Sequence, residues 1–229
     1  MTNQIRSRFL LLTAGDIGAH VAPELARMNL APAATVDLLE RQTWTGEDFA
    51  ALLDEVQPEF VAAALWRPYP QWMRALNGEL HRRNIIWTLG LLHQTQVHIG
   101  PTFVPEKTAC YACFLRRYYS NSNMRRVELP LSELYDADPN AGHHGQLPAV
   151  NRFAAGLLAL EIRRIAEAKL DEQCTFSWYE LVDGAHGRHR ILRTPWCGVC
   201  AKSDAREASV AMLRPALAHI LEGSNADVV

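Results

Sequence analysis

The sequence predicts an α/β fold in which a mostly parallel sheet with flanking helices leads into a C-terminal part clipped by four cysteines. Three observations predict it. In the first 105 residues, short apolar runs alternate with stretches of helical spacing, as strand–helix–strand units require. The first run ends in a glycine turn, Gly15-Asp16-Ile17-Gly18. Farther along stand two Cys-x-x-Cys pairs, Cys110-Tyr111-Ala112-Cys113 and Cys197-Gly198-Val199-Cys200, with 83 residues between them.

Residues 8–13 are a short apolar run that reads as a buried strand, and helical spacing follows the glycine turn to about Met28. Residues 33–39 are a second strand candidate, 49–53 a short helix and 60–66 a third buried strand. Residues 72–83 are helical by spacing, and 85–89 return to strand. Val97-His98-Ile99-Gly100-Pro101-Thr102-Phe103-Val104-Pro105 alternates like an exposed or edge strand. Residues 118–148 turn polar and predict a long surface loop or crossover segment. Residues 149–170 carry the best helical pattern, with Phe153, Leu157, Leu160, Ile162 and Ile165 roughly on one face. Asp183-Gly184, followed by Gly187, predicts a hairpin between 175–182 and 188–193. A final helix is expected over about 205–221. The chain thus divides into a Rossmann-like half, 1–105, and a cysteine-clipped half, 106–229, of a single domain.

Two thiolates three positions apart grip one face of a metal ion, and two such pairs complete a tetrahedron. Four sulfur ligands with no open position suit structural zinc, so Cys110, Cys113, Cys197 and Cys200 are the candidate ligands. The alternatives are two disulfides, a redox pair or an iron–sulfur cluster. No secretory signal precedes the first strand, which argues against disulfides and for a cytoplasmic protein. A redox pair needs only one Cys-x-x-Cys, near the start of a βαβ unit. Cys174 lies outside both Cys-x-x-Cys pairs and reads as a small buried hydrophobe.

Of 229 residues, 48% are apolar, and 23 basic against 25 acidic side chains give a formal charge of −2. That balance gives no electrostatic case for nucleic acid or a membrane surface, and no apolar run is long enough to span a bilayer.

The glycine turn is the candidate nucleotide site. A full dinucleotide fingerprint uses three glycines, to turn, to admit the pyrophosphate and to pack helix on strand. This turn keeps Gly15 and Gly18, and Asp16 would set a negative charge against a phosphate. No acidic ribose-binding residue follows a complete fingerprint, so a nicotinamide-dependent oxidoreductase is not expected. The reading is a turn that kept its architecture and lost its ligand. Trp66, Tyr69 and Trp72 cluster around two prolines and form either a recognition surface or a cover over the empty pocket. His143-His144 reads as a solvated loop with metal binding as the alternative, and Arg116-Arg117 and Arg125-Arg126 as solvated surface or an attraction for acidic peptide. His93, His98, His186 and His189 show no ligand spacing near the cysteines.

Residues 100–113, from Gly100-Pro101-Thr102 into Cys110-Tyr111-Ala112-Cys113, resemble the zinc-pair segment of E1-like (ThiF/MoeB-type) proteins. Residues 147–161 and the stretch Leu192-Arg193-Thr194-Pro195-Trp196-Cys197-Gly198-Val199-Cys200 are similar to that family's later helix and second zinc pair. The resemblance is strongest to the branch that partners YcaO cyclodehydratases in making thiazole- and oxazole-modified peptides. It implies a homodimer that binds a precursor peptide beside a YcaO-type cyclodehydratase, with a flavin-dependent dehydrogenase in the same assembly. Active members adenylate a carboxyl terminus with ATP. They carry an aspartate after the third strand, where this chain has Trp66-Arg67-Pro68-Tyr69, and an Asn-x-x-Arg-Gln element of which only Arg41-Gln42 remains. Structural zinc is therefore expected, ATP and magnesium are not, and an active adenylyltransferase is the alternative. The strand beginning near residue 8 leaves no winged-helix module before it, so a leader-binding module would come from another chain.

Overall fold

The computed structural model describes residues 8–141, 147–170 and 174–201. The paired histidines at 143–144 and the helix expected over 205–221 lie outside these residues.

The parallel core forms where the apolar runs predict it. Strands β1 (Phe9–Ala14), β3 (Phe60–Leu65) and β4 (Ile86–His93) are buried at every position, because helices cover both faces of the sheet. β2 (Ala34–Asp37) lies outside β1 and alternates half-buried with exposed, as an edge strand does. Helices α1 (Ile17–Arg27), α2 (Gly46–Val56) and α3 (Pro70–Arg82) make the crossovers. Thr45 starts α2 with a capping box: its hydroxyl accepts from Asp48 N–H, and the Asp48 carboxylate accepts from Thr45 N–H. Thr45→Ala is expected to cost about 1 kcal/mol in urea unfolding, by loss of that cap.

The sheet does not stop at β4. It continues antiparallel through β5 (Gln96–Ile99), β6 (Thr175–Glu180) and β7 (His186–Arg190), in the order β2-β1-β3-β4-β5-β6-β7. β5 is therefore an interior strand, contrary to the edge expected from its alternation. Its polar residues pair inward, with His98 Nε2 and Gln96 Oε1 2.8 Å apart. The hairpin forms two residues earlier than expected, β6 ending at Glu180 and β7 beginning at His186, with Gly187 inside β7.

The polar stretch expected to be a loop is mostly helical. α4 (Tyr111–Asn121) begins at Cys110, and α5 (Arg125–Ala137) follows after a short break and tolerates Pro130. Ser122-Asn123-Met124 is the break between two short helices, and its polar residues make the whole segment read as irregular. The long helix α6 (Pro148–Ala166) packs on α1 and on β3, β4 and β5. Its buried face is Asn151, Ala154, Ala155, Leu158, Ala159, Ile162 and Ile165. Phe153 and Leu160 of the expected face are exposed instead. Alanines let the helix approach α1 and the sheet closely, so small residues outcompete large ones there.

Candidate metal centre and glycine turn

Cys110 and Cys113 sit at the start of α4, and Cys197 and Cys200 in the turn that follows β7. All four are buried, and their sulfurs lie within 4.8 Å of one another. Cys110 Sγ is 3.5 Å from Cys197 Sγ and 3.9 Å from Cys113 Sγ, and Cys113 Sγ is 3.5 Å from Cys200 Sγ. Tetrahedral thiolates about 2.3 Å from a zinc ion stand about 3.8 Å apart, so the donor set fits such an ion. Backbone groups hold the pairs in register. Thr194 N–H donates to Cys113 Sγ at 3.3 Å, while Arg193 Nε donates to the Thr108 carbonyl at 2.9 Å and its Nη2 to the Glu106 carbonyl. Hydrogen bonds from the Cys110 and Cys200 thiols, joined by Thr194, push Cys113 well below the usual thiol range. The start of a helix also favours thiolate. Cys174 stands apart and buried, its thiol directed at the Ala109 carbonyl.

The two glycines of the turn are explained without a ligand. Gly15 has φ +79°, a conformation that favours glycine, and a Cβ there would lie 2.4 Å from the Trp66 indole. Gly18 brings α1 against β1, since its Cβ would lie 2.6 Å from Thr13. Trp66 fills the space above the turn. Its indole N–H donates to the Tyr69 hydroxyl at 2.6 Å, and the Arg67 guanidinium lies 4.0 Å over its ring. Arg67 is itself buried, stacks over Tyr135 and donates to the Ala141 carbonyl. Tyr69 donates to the Pro139 carbonyl at 3.2 Å and stacks on Trp72 at 4.7 Å, and burial pushes its phenol up to about 12. Of the two readings of these aromatics, the buried cover is the one observed.

Arg41 is not brought to the turn. It pairs with Asp48 at 2.9 Å and lies 4.8 Å over the Trp44 ring, at the entry to α2. An acidic residue does stand at the end of β2, where none was expected: Asp37, whose Oδ1 accepts from Leu39 N–H at 3.0 Å. Its position at a strand end after the glycine turn was the signal that could have found it.

Asp136 was also missed, because the segment read as loop. Both its oxygens lie 3.1 Å from Gln71 N–H, at the start of α3. Burial raises its carboxyl from 3.8 to about 6, against the pull of that hydrogen bond. A raised folded pKa means that the protonated form favours the fold. That contribution is full below the unfolded value and lost as pH rises through about 6. Relative to Asp136→Asn, wild-type stability is expected to fall between those two values, read by thermal unfolding across the range.

A third polar cluster lies under α4 and α5. Tyr118 donates to Glu128 Oε1 at 3.1 Å, and His93 Nε2 is 3.5 Å from the same oxygen. The His93 and His98 rings stack at 5.4 Å, and burial holds both imidazoles below their ordinary pKa.

No protein-family model matches the chain, and no curated protein matches it. Solved structures do. The heterocyclase TruD superposes with a TM-score of 0.62 at 17% identity, over 86% of this chain and 28% of TruD. E. coli MccB, crystallised with selenomethionine MccA, gives 0.62 at 15% over 87% of this chain and 68% of MccB. A chain of the E. coli microcin synthetase McbBCD complex gives 0.61 at 10%, over 86% and 70%. The chain thus spans about a quarter of the length of the heterocyclase chains it matches. At these identities the likeness is one of architecture, and the chain has the E1-like fold found in heterocyclase and microcin-synthetase structures.

Proposed function

We propose that this chain is a non-catalytic E1-like partner of a YcaO-type cyclodehydratase, supporting peptide handling and assembly in the making of azole-containing peptides. The observation that carries the reading is the Trp66 indole seated against Gly15, where the fold would otherwise admit a nucleotide. Arg41 is engaged elsewhere, and Trp66-Arg67-Pro68-Tyr69, which follow β3 directly, include no carboxylate. The fold shared with the heterocyclase and McbBCD structures supports the partner class. In this reading Cys110, Cys113, Cys197 and Cys200 hold a structural zinc ion that ties α4 to the segment after β7. The chain acts as a homodimer, and azole chemistry belongs to the cyclodehydratase, with a flavin-dependent dehydrogenase completing the assembly. Among the described residues no helix is long and apolar enough to cross a membrane.

The test is calorimetric titration of the zinc-loaded protein with ATP and magnesium, alongside pyrophosphate exchange and a pull-down with a YcaO-type protein. The expected result is no heat, no exchange and capture of the partner. Micromolar ATP binding with exchange would make the chain an adenylyltransferase.

A further inference from the structure

Between α4, α5 and the β6–β7 hairpin lies a cavity of about 720 Å³ that the glycine turn does not touch. That volume falls within the roughly 300–1,000 Å³ of small-molecule sites. Phe114, Tyr118, Phe176 and Trp178 bring aromatic side chains to its lining, and Met124 and Leu192 stand on the lining about half exposed.

The charge around the cavity is one-sided. Arg117 shares a face of α4 with Phe114, Tyr118 and Asn121, all on the lining, and is half-buried. Among the described residues its guanidinium makes one hydrogen bond, from Nη2 to the Arg193 carbonyl, at a long 3.5 Å. Arg190 lines the cavity from β7 and is exposed, and the exposed Arg125 and Arg126 follow Met124 directly. Elsewhere in the fold arginines answer carboxylates: Arg27 pairs with Glu24, Arg41 with Asp48, Arg83 with Asp54 and Arg163 with Glu167. Among the described residues none of the four arginines around the cavity makes an ion pair. Glu128 is the one carboxylate among the described lining residues, and it is buried against Tyr118 and His93. Aromatic side chains beside guanidinium groups that no carboxylate answers are complementary to a flat ring carrying a negative charge.

We infer that this cavity binds a small aromatic carboxylate, its ring among Phe114, Phe176 and Trp178 and its carboxylate on Arg117. Arg117 is chosen over the other three arginines because its helix face carries it to the lining and its planar fork matches a carboxylate. Glu128 confines the ligand's charge to one end. A ligand charged along its length, such as a triphosphate, would bring part of that charge against the Glu128 carboxylate. The site goes beyond the partner reading above and does not depend on it.

The probe is 2-naphthoate, titrated calorimetrically into the full-length protein, with 2-naphthamide as its neutral counterpart. Wild type is expected to bind the acid at least about tenfold more tightly than the amide. Arg117→Met keeps an unbranched apolar stem and removes the charge, and should bring the two affinities to within about twofold of each other. Trp178→Leu removes a half-buried ring from the lining and should weaken both ligands together. Thermal unfolding checks that each variant is folded. If Arg117→Met is not, the acid–amide comparison in wild type and the effect of Trp178→Leu decide. No binding of 2-naphthoate, equal binding of acid and amide by wild type, a preference for the acid that survives Arg117→Met, or unchanged binding in Trp178→Leu overturns the inference.

Discussion

Cys113→Ser is expected to release the zinc proposed for the cysteine cluster and to lower the melting temperature by about 10 °C or more. Cys113 is completely buried, lies 3.5 Å from Cys200, and receives the Thr194 amide. Serine offers a hard, poorly ionised oxygen in its place, and a three-sulfur remnant binds zinc far more weakly. The clip joins positions 87 residues apart, so its loss also frees the unfolded chain. A loss of more than about 4 kcal/mol follows, a size that metal loss is among the few mechanisms to reach. Elemental analysis and calorimetry on the same sample check it. A variant that keeps its metal, or melts with the wild type, would remove the cluster from the structural account.

Gly15→Ala is the second large effect, and it is coupled to Trp66. The methyl would need to occupy space already held by the indole, at a φ that disfavours any side chain. About 2–4 kcal/mol of destabilisation is expected. Trp66→Ala alone should cost about 3–5 kcal/mol, because it removes a buried ring, its bond to Tyr69 and the stacking of Arg67. In the double variant the clash is gone while the backbone strain remains. The two costs should therefore add to less than their sum by at least about 1 kcal/mol in urea unfolding. Full additivity would mean that Trp66 does not seal the turn.

How much of this was legible depended on what each segment packs against. β1, β3 and β4 were readable because both faces are buried, so their apolar runs carry no polar alternation. β5 was not, because His98 looks solvent-facing and is buried between β4 and β6, its Nε2 2.8 Å from Oε1 of the half-buried Gln96. The face of α6 was misread for a related reason: spacing picks the large residues, while close helix packing selected Ala154, Ala155 and Ala159. The cysteines were legible from spacing alone, since their chemistry leaves few options. The role of Trp66 was open in the sequence, because nothing local says whether an indole covers a turn or meets a partner. Arg41 looked like a remnant of a nucleotide site, and only its contacts with Asp48 and Trp44 show its employment elsewhere.

The interior position of β5 has a consequence in time. On the ribosome the parallel strands and β5 emerge long before β6, its outer neighbour, exists. Cys197 follows Cys110 by 87 positions, about 4–17 s of synthesis at ordinary rates. For that interval the nascent chain presents an open strand edge beside an apolar surface, together with two thiols awaiting the other two. Such an edge invites pairing with a neighbouring nascent chain. Yield of this protein should therefore depend on translation speed and on chaperone capacity in the window before the hairpin is made, more than on the stability of the finished fold.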